Sequence, residues 1–436
     1  MPLKQFYKQW VPAGLRHFIA GHPRIQDWRN RGLVREGRKL AQAARAARPA
    51  DGKLRATFIV QRPALWPNQQ SVYAAMRADP GFEVSVLAIP KIPPAARSVD
   101  LEEYRRLKQF LAEQAIPFRE GYDEQTGCWI HPQTFGLPDV VFLPQPYLHT
   151  QSYLYGAHYL KHFCKLAIWN YGQTIDDIQL YRHYLPAYAG CDFIFMESEP
   201  ARNLLAEFAP ALADRLVVTG PPKLDAYLRP PSADLRLWKR PDARHRIIWA
   251  PHFTVAENRT PHTFSNFFAY FEYFIDAARR LPAVEFVLRP HPELFAHMVA
   301  AGLKTRAEAE AFRDRFNALP NGQVYEGGEI FEMFRQSDAL ILDSISFLLE
   351  YLPTGRPICF LDSLRRQRLN PIGEQLLHAY YSAWDAAEIE EFIQTVVVGG
   401  DDYRRADRDR VARKYIHQPP GGSGQAIKDR IRKALA

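Results

Sequence analysis

Cysteine is scarce. The 436 residues contain four, Cys128, Cys164, Cys191 and Cys359, widely scattered, with no Cys-x-x-Cys pair and no His/Cys cluster at zinc spacing. That excludes a disulfide-stapled scaffold or a zinc finger, and the expectation is reduced thiols in a cytoplasmic protein with no structural metal. No stretch approaches the roughly 18 consecutive apolar residues of a membrane span. The N-terminus also lacks the apolar core of a signal peptide, so a soluble, non-secreted protein is expected. Neither a Gly-x-Gly-x-x-Gly fingerprint nor a P-loop lysine occurs, which argues against dinucleotide dehydrogenases and P-loop NTPases. Internal repeats and low-complexity tracts are missing too.

What is present is a large apolar content, 47%, in a chain too long for one ordinary domain; two or three are expected. The charge is unevenly placed. Residues 1–55 carry 13 Lys/Arg against Asp27, Glu36 and Asp51, whereas the remaining 381 residues hold 43 basic and 45 acidic side chains. The basic balance therefore belongs to one segment. Phe6, Tyr7, Trp10, Val11, Leu15, Phe18 and Ile19 open it, and aromatic residues among bases suit an anionic membrane surface. Pro12 and Gly14 interrupt a long helix there. The alternative is a basic arm that is solvated or docked on the protein itself. The body offers no basic stripe or recognition motif, so nucleic acid is not expected as a partner.

Beyond residue 55 short apolar runs recur: ATFIVQ (56–61), FEVSVLAIP (82–90), DVVFLPQPY (139–147), KLAIWNYG (165–172), DFIFMES (192–198) and RLVVTG (215–220). After a polar, proline-bearing linker near residue 235 the series restarts with RIIWAPHF (246–253), EFVLRPHP (285–292), QVYEGG (323–328), ALILDS (339–344) and PICFLD (357–362). Fully apolar strands alternating with helices predict buried parallel sheets. The expected fold class is α/β, two Rossmann-like domains facing a cleft. The expected domains are a basic segment (1–55), a first α/β domain (56–235), a second (236–400) and a helical closing segment (401–436).

Five polar clusters stand at the carboxyl ends of these runs: WNYG, TGPPKLD, WAPHF, RPHP and LDSIS. Ligands of open α/β sheets bind outside that edge. Prolines on both sides of His291 stiffen its backbone. Arg289 supplies a fixed charge to a phosphate, and His291 a donor or proton carrier. Asp343 ends a strand, and Ser344 and Ser346 are read as opening a helix through Glu350 and Tyr351 to Gly355, an N-terminus able to hold an anion. Lys223 offers a second charge, and His252 a second histidine after a strand.

WAPHF, RPHP and DSISFLLEY followed by GRPICFLD resemble the C-terminal half of the CDP-glycerol glycerophosphotransferase family, which includes teichoic-acid primases and polymerases and relatives encoded among capsule and lipopolysaccharide genes. GPPKLDAYL is similar to that family's segment at the domain junction, and YIHQPPGGSGQAIKDRIRKAL to its closing segment. The match covers roughly residues 165–436. It implies a GT-B fold, a nucleotide held mainly by the second domain, and no cofactor or tightly bound metal. One departure stands out. Teichoic-acid members usually carry Trp-His-Gly in the first domain, whose histidine is the expected base, whereas this chain has Trp169-Asn170-Tyr171-Gly172. A tyrosine, with a pKa near 10, is a poor base at neutral pH.

The resemblance implies a cell-envelope transferase. It moves a glycerol-phosphate-like group from a CDP-activated donor to a hydroxyl of a glycan or lipid-linked glycan. Arg289, His291, Asp343, Ser344, Ser346, Lys223 and Glu350 are expected to form the nucleotide-phosphate site. His252 or His291 takes the acceptor proton, and Asn170, Tyr171 and Gly172 lie on the acceptor side. The alternatives are a GT-B glycosyltransferase or sugar epimerase using a CMP- or UDP-sugar, or an inactive GT-B module that binds a polymer or partner enzyme. The expected location is cytoplasmic, peripheral on the inner face of the cell membrane.

Overall fold

The apolar runs form strands buried on both faces and joined in parallel, as such composition requires. The computed structural model describes residues 30–93, 98–169, 174–175, 184–231, 237–255, 265–328, 330–345, 347–363 and 369–436. The chain divides into two units. The first spans residues 1–171, 178–225 and 418–436, and the second spans 172–177 and 226–417.

In the first unit, β1 (Leu54–Val60), β2 (Phe82–Ala88), β3 (Arg119–Glu120), β6 (Val140–Phe142), β7 (Lys165–Trp169), β8 (Phe193–Met196) and β9 (Leu216–Val218) pair in the order β3-β2-β1-β6-β7-β8-β9. All of these pairs are parallel. The strands β4 (Tyr122–Asp123) and β5 (Cys128–Trp129) form a separate antiparallel hairpin. Register places Phe58 opposite Phe142. Their rings stack at 4.5 Å, and Phe142 stacks on Trp169 at 5.9 Å, an aromatic ladder across three strands.

Helices cover this sheet. Before it comes α1 (Arg31–Ala46), which buries Val34, Gly37 and Ala41. A Cβ on Gly37 would overlap Tyr159 Oη and come within 2.8 Å of Phe163, so glycine permits this close packing. Glu36 lies 3.5 Å from His131, and Arg48 makes two bonds to Asp139, at 2.8 and 2.7 Å. Part of the basic segment is thus docked on the protein, while Arg31, Arg35, Arg38, Lys39 and Arg45 remain exposed. The aromatic stretch before it lies outside the described residues.

The closing helix, Gly422–Leu435, returns to the first unit. Both oxygens of Asp225, the acid of the GPPKLD segment, accept its first N–H groups, from Ser423 at 2.8 Å and Gly424 at 2.7 Å. A Cβ on Gly424 would sit 2.5 Å from the backbone of Ser71.

In the second unit, β10 (His245–Ala250), β11 (Val284–Leu288), β12 (Gly322–Val324), β13 (Ala339–Leu342), β14 (Ile358–Leu361) and β15 (Tyr381–Ala383) pair in the order β12-β11-β10-β13-β14-β15, parallel throughout. The helix Phe267–Arg280 buries Phe267, Tyr270, Phe271, Phe274 and Ile275, the spacing of one helical face. Its Phe267 and Phe274 rings stack on Trp249 of β10 at 5.5 and 4.1 Å. In this strand order the chain reverses direction across the sheet between β10 and β13, and the crevice outside their carboxyl ends is the switch point.

Candidate functional site

Three neighbouring strands, β11, β10 and β13, bring five of the sequence-selected residues to one edge: Arg289 and His291, His252, and Asp343 with Ser344. The backbone continues the sheet past the strand ends. Arg289 N–H donates to the Trp249 carbonyl at 2.8 Å, and His291 N–H to that of Pro251 at 3.1 Å. The rigid Pro-His-Pro turn is therefore held against the segment after β10.

Asp343 is only 1% exposed. Its two carboxylate oxygens accept the backbone N–H groups of His252 at 2.6 Å and Asn266 at 2.5 Å. Burial pushes this carboxyl up to about 7, against the lowering effect of those bonds. Asp343 was expected among the phosphate-binding residues. With both oxygens engaged by backbone, it instead ties the turn after β10 to the start of the helix Phe267–Arg280. Asn266 adds a side-chain bond to the Leu361 carbonyl at 3.0 Å.

The imidazoles of His252 and His291 lie 5.4 Å apart, centroid to centroid, and the ring of Phe253 stands 4.5 Å from each. His297 donates Nδ1–H to the Phe253 carbonyl at 2.8 Å, fixing that ring's backbone. Glu293 N–H donates to His291 Nδ1 at 3.1 Å. Thr254 N–H approaches His252 Nδ1 at 3.4 Å, with its hydroxyl 2.8 Å away. A ring nitrogen that accepts an N–H carries no proton of its own, so each neutral ring holds its proton on Nε2 and offers a donor there.

Arg289 is half-buried. Its Nη1 donates to the Tyr325 carbonyl at 3.2 Å, and its guanidinium lies 5.8 Å from the Tyr325 ring centre. Its Nε is buried without a hydrogen-bond partner, and among the described residues no carboxylate stands within ion-pair distance. Burial lowers its pKa, only partly offset by Tyr325 and Glu326. A desolvated cation without a counter-charge is costly, and an anion relieves that cost.

Other sequence-selected residues fall elsewhere. Ser344 is buried at 4% exposure directly after Asp343. The helix expected from Ser344 to Gly355 is not formed: residues 347–350 make turns, followed by a short 3-10 helix at Leu352–Thr354. Pro353 and the left-handed Gly355 end the segment early. Glu350 is buried in those turns, and its carbonyl accepts the Tyr227 hydroxyl at 2.8 Å. Lys223 is half-buried in the first unit, in the 3-10 helix Pro222–Leu228. Ser346, Asn170, Tyr171 and Gly172 lie outside the described residues. Sequence reading missed Asn266, Thr254, His297 and Tyr325. Thr254, two residues after His252, was within reach of local spacing, but the others meet the site through long-range contacts. No group of three or more His, Cys, Asp or Glu among the described residues is placed to hold a metal ion.

Two doubly wound parallel sheets in one chain define the GT-B fold class. No family model and no curated protein matches the sequence, but solved structures do. S. aureus MnaA, solved with UDP, shares 12% identity over 88% of this chain and 97% of its own, with a TM-score of 0.60. The UDP-GlcNAc 2-epimerase of Neisseria meningitidis, bound to UDP-GlcNAc, shares 15% over 88% and 99%, with a TM-score of 0.56. A variant of the wall teichoic acid polymerase TagF shares 11% over 95% and 97%, with a TM-score of 0.58. At such identities the likeness is one of fold.

Proposed function

We propose that the protein is a transferase that moves a glycerol-phosphate-like group from a CDP-activated donor to a hydroxyl of a cell-surface glycan or lipid-linked glycan. The observation that carries this reading is Arg289, a half-buried guanidinium with an unused Nε–H and, among the described residues, no carboxylate partner, beside two imidazoles whose hydrogen bonds leave the proton on Nε2. Three cationic or N–H donors at a sheet switch point suit a diphosphate. They stabilise the charge that grows on the departing nucleotide, commonly the largest contribution to such catalysis. Ser344 and Ser346 add hydroxyl donors. His252 and His291 thereby act on the leaving group and not as bases.

A second reading has specific support. Two neighbours in fold were solved with UDP or UDP-GlcNAc, which favours a UDP-sugar as donor. The structural likeness to TagF and the RPHP and DSIS segments favour the CDP-linked donor. Incubation with CDP-glycerol, CDP-ribitol, CMP-sugars and UDP-sugars, followed by nucleotide-release and product analysis, separates them. CDP-glycerol turnover with release of CMP supports the first reading. Turnover restricted to UDP- or CMP-sugars replaces it with the second, and no turnover of any donor leaves a nucleotide-binding or inactive module. The reaction is placed at the inner face of the cell membrane, where a lipid-linked acceptor would be met. No helix among the described residues is long and apolar enough to cross a membrane.

A further inference from the structure

The two imidazoles of the second unit share a third ring. Phe253 stands 4.5 Å from His252 and 4.5 Å from His291, tilted by 41° to each, while the imidazoles themselves are 5.4 Å apart. A third imidazole, His297, meets the same phenyl ring edge-on at 5.5 Å. Phe253 also packs on the core of the second sheet, yet it stays only half-buried. A phenylalanine that served the core alone would not need three imidazoles around it.

The backbone that carries this ring is fixed from three segments. Asp343, at the end of β13, accepts the His252 N–H at 2.6 Å. The Phe253 carbonyl accepts two bonds, from Val255 N–H at 2.8 Å and from Nδ1–H of His297, in the helix Leu294–Ala300, at 2.8 Å. The Pro251 carbonyl accepts the His291 N–H at 3.1 Å. Thr254, 1% exposed, places its hydroxyl 2.8 Å from His252 Nδ1. A connected set of this kind is rigid, because loosening one member leaves a buried polar group unsatisfied.

Two neutral imidazoles in contact can bond to each other, one ring donating N–H and the other accepting it. Such a bond consumes a donor. The accepting ring would also have to turn its bare nitrogen away from the backbone N–H that it now receives, of Glu293 at His291 or of Thr254 at His252. Phe253 has neither donor nor acceptor on its side chain and lies at aromatic contact distance from both rings. An imidazole that leaves its present plane moves against it.

We infer that Phe253 is the positioning residue of the imidazole pair, a spacer, itself held by His297, that keeps both rings on the Nε2–H tautomer so that each donates to a diphosphate and neither to the other. The inference rests on the donor reading above. It gives Phe253 no contact with the reacting atoms.

The test uses the full-length protein with isotope-labelled histidine ring nitrogens and no nucleotide. Ring-nitrogen NMR separates Nε2–H from Nδ1–H tautomers, and His252→Gln and His291→Gln assign the signals. Wild type should show Nε2–H at both rings. Phe253→Ala should mix the tautomers of the pair, and Phe253→Leu, which fills most of the same space, should keep them. In calorimetric titration with CDP and UDP, Phe253→Ala should bind about 5- to 10-fold more weakly than wild type, the loss of one neutral hydrogen bond. Phe253→Leu should bind within about twofold of wild type. A phenylalanine of purely structural use would lower Tm and leave the tautomers unmoved. Unmixed tautomers in folded Phe253→Ala, mixed ones in Phe253→Leu, or an Nδ1–H ring in wild type overturn the inference. If Phe253→Ala does not fold, wild type and Phe253→Leu decide it by the same signals. A wild-type protein that binds neither nucleotide removes the donor reading, and the tautomers of the nucleotide-free protein still decide whether Phe253 spaces the pair.

Discussion

Arg289 holds a positive charge at the end of a buried strand without a carboxylate to balance it among the described residues. A protein that needed only to end that strand would have no use for a desolvated guanidinium, which is why the residue is read through an absent anion. Asp343 is the opposite case, a buried carboxylate satisfied entirely by backbone. Its carboxyl is raised from 3.8 to about 7, so the folded state binds that proton more tightly than the unfolded chain does. Between those two values stability falls as pH rises, and the penalty is complete above the upper one. Asp343→Asn carries no such charge. Although it loses one acceptor, its stability relative to wild type should improve from about pH 4 to about pH 7 in denaturant melts. A difference that stays flat with pH would show that the carboxyl does not titrate in that window. At this scale the sequence was informative where function and strand end coincide. Arg289, His252 and His291 each follow an apolar run and could be picked out. Asn266 could not, because its tie to Asp343 spans 77 residues and uses the backbone N–H, which every residue other than proline carries.

Strands were the legible elements. Their runs are apolar because both faces are buried, and that composition survives any tertiary detail. The turns after β13 were not legible: Ser344 to Gly355 has helical spacing, but Pro353 and the left-handed Gly355 leave too few residues for a stable α-helix. The two-residue strand β3 and the short edge strand β15 carry too little pattern to be seen. The closing helix shows a different limit. GPPKLD and GGSG read as separate motifs, yet Asp225 caps the helix that GGSG opens, across 198 residues. Two N–H groups at a helix start lose their acceptor in Asp225→Ala, which should cost about 1–2 kcal/mol. In a unit of this size that lowers Tm by about 2–4 °C per kcal/mol. Gly424→Ala should lower it further, since its Cβ has no room beside Ser71. A melting temperature unchanged in Asp225→Ala would mean that the cap adds nothing to docking.

For the molecule as a whole, charge and fold are separate matters. The body is almost electrically balanced, and the excess of basic residues sits in residues 1–55. Helix α1 shows how a basic segment can be both docked and available: small residues face the protein, while five bases face solvent. Each Lys or Arg near an anionic surface contributes about 1 kcal/mol at most, within a Debye length of roughly 8–10 Å. Five would give salt-sensitive adhesion at such a surface, the expectation that the following measurement tests. A chain beginning at Lys53, which leaves β1 whole, should lose binding to liposomes containing phosphatidylserine. If it binds them as the full chain does, or if salt leaves the full chain's binding unchanged, the segment serves contacts within the protein.

The central claim is that the second unit binds a nucleotide diphosphate through Arg289, and calorimetric titration of the full chain with CDP and UDP tests it most directly. The account predicts measurable binding of at least one of them. Arg289→Met, which keeps the bulk of the side chain and removes its charge, should weaken that binding about 10- to 100-fold without lowering Tm, the loss of a charged hydrogen bond of about 1.5–3 kcal/mol. No binding of either nucleotide, or equal binding by Arg289→Met, would contradict it.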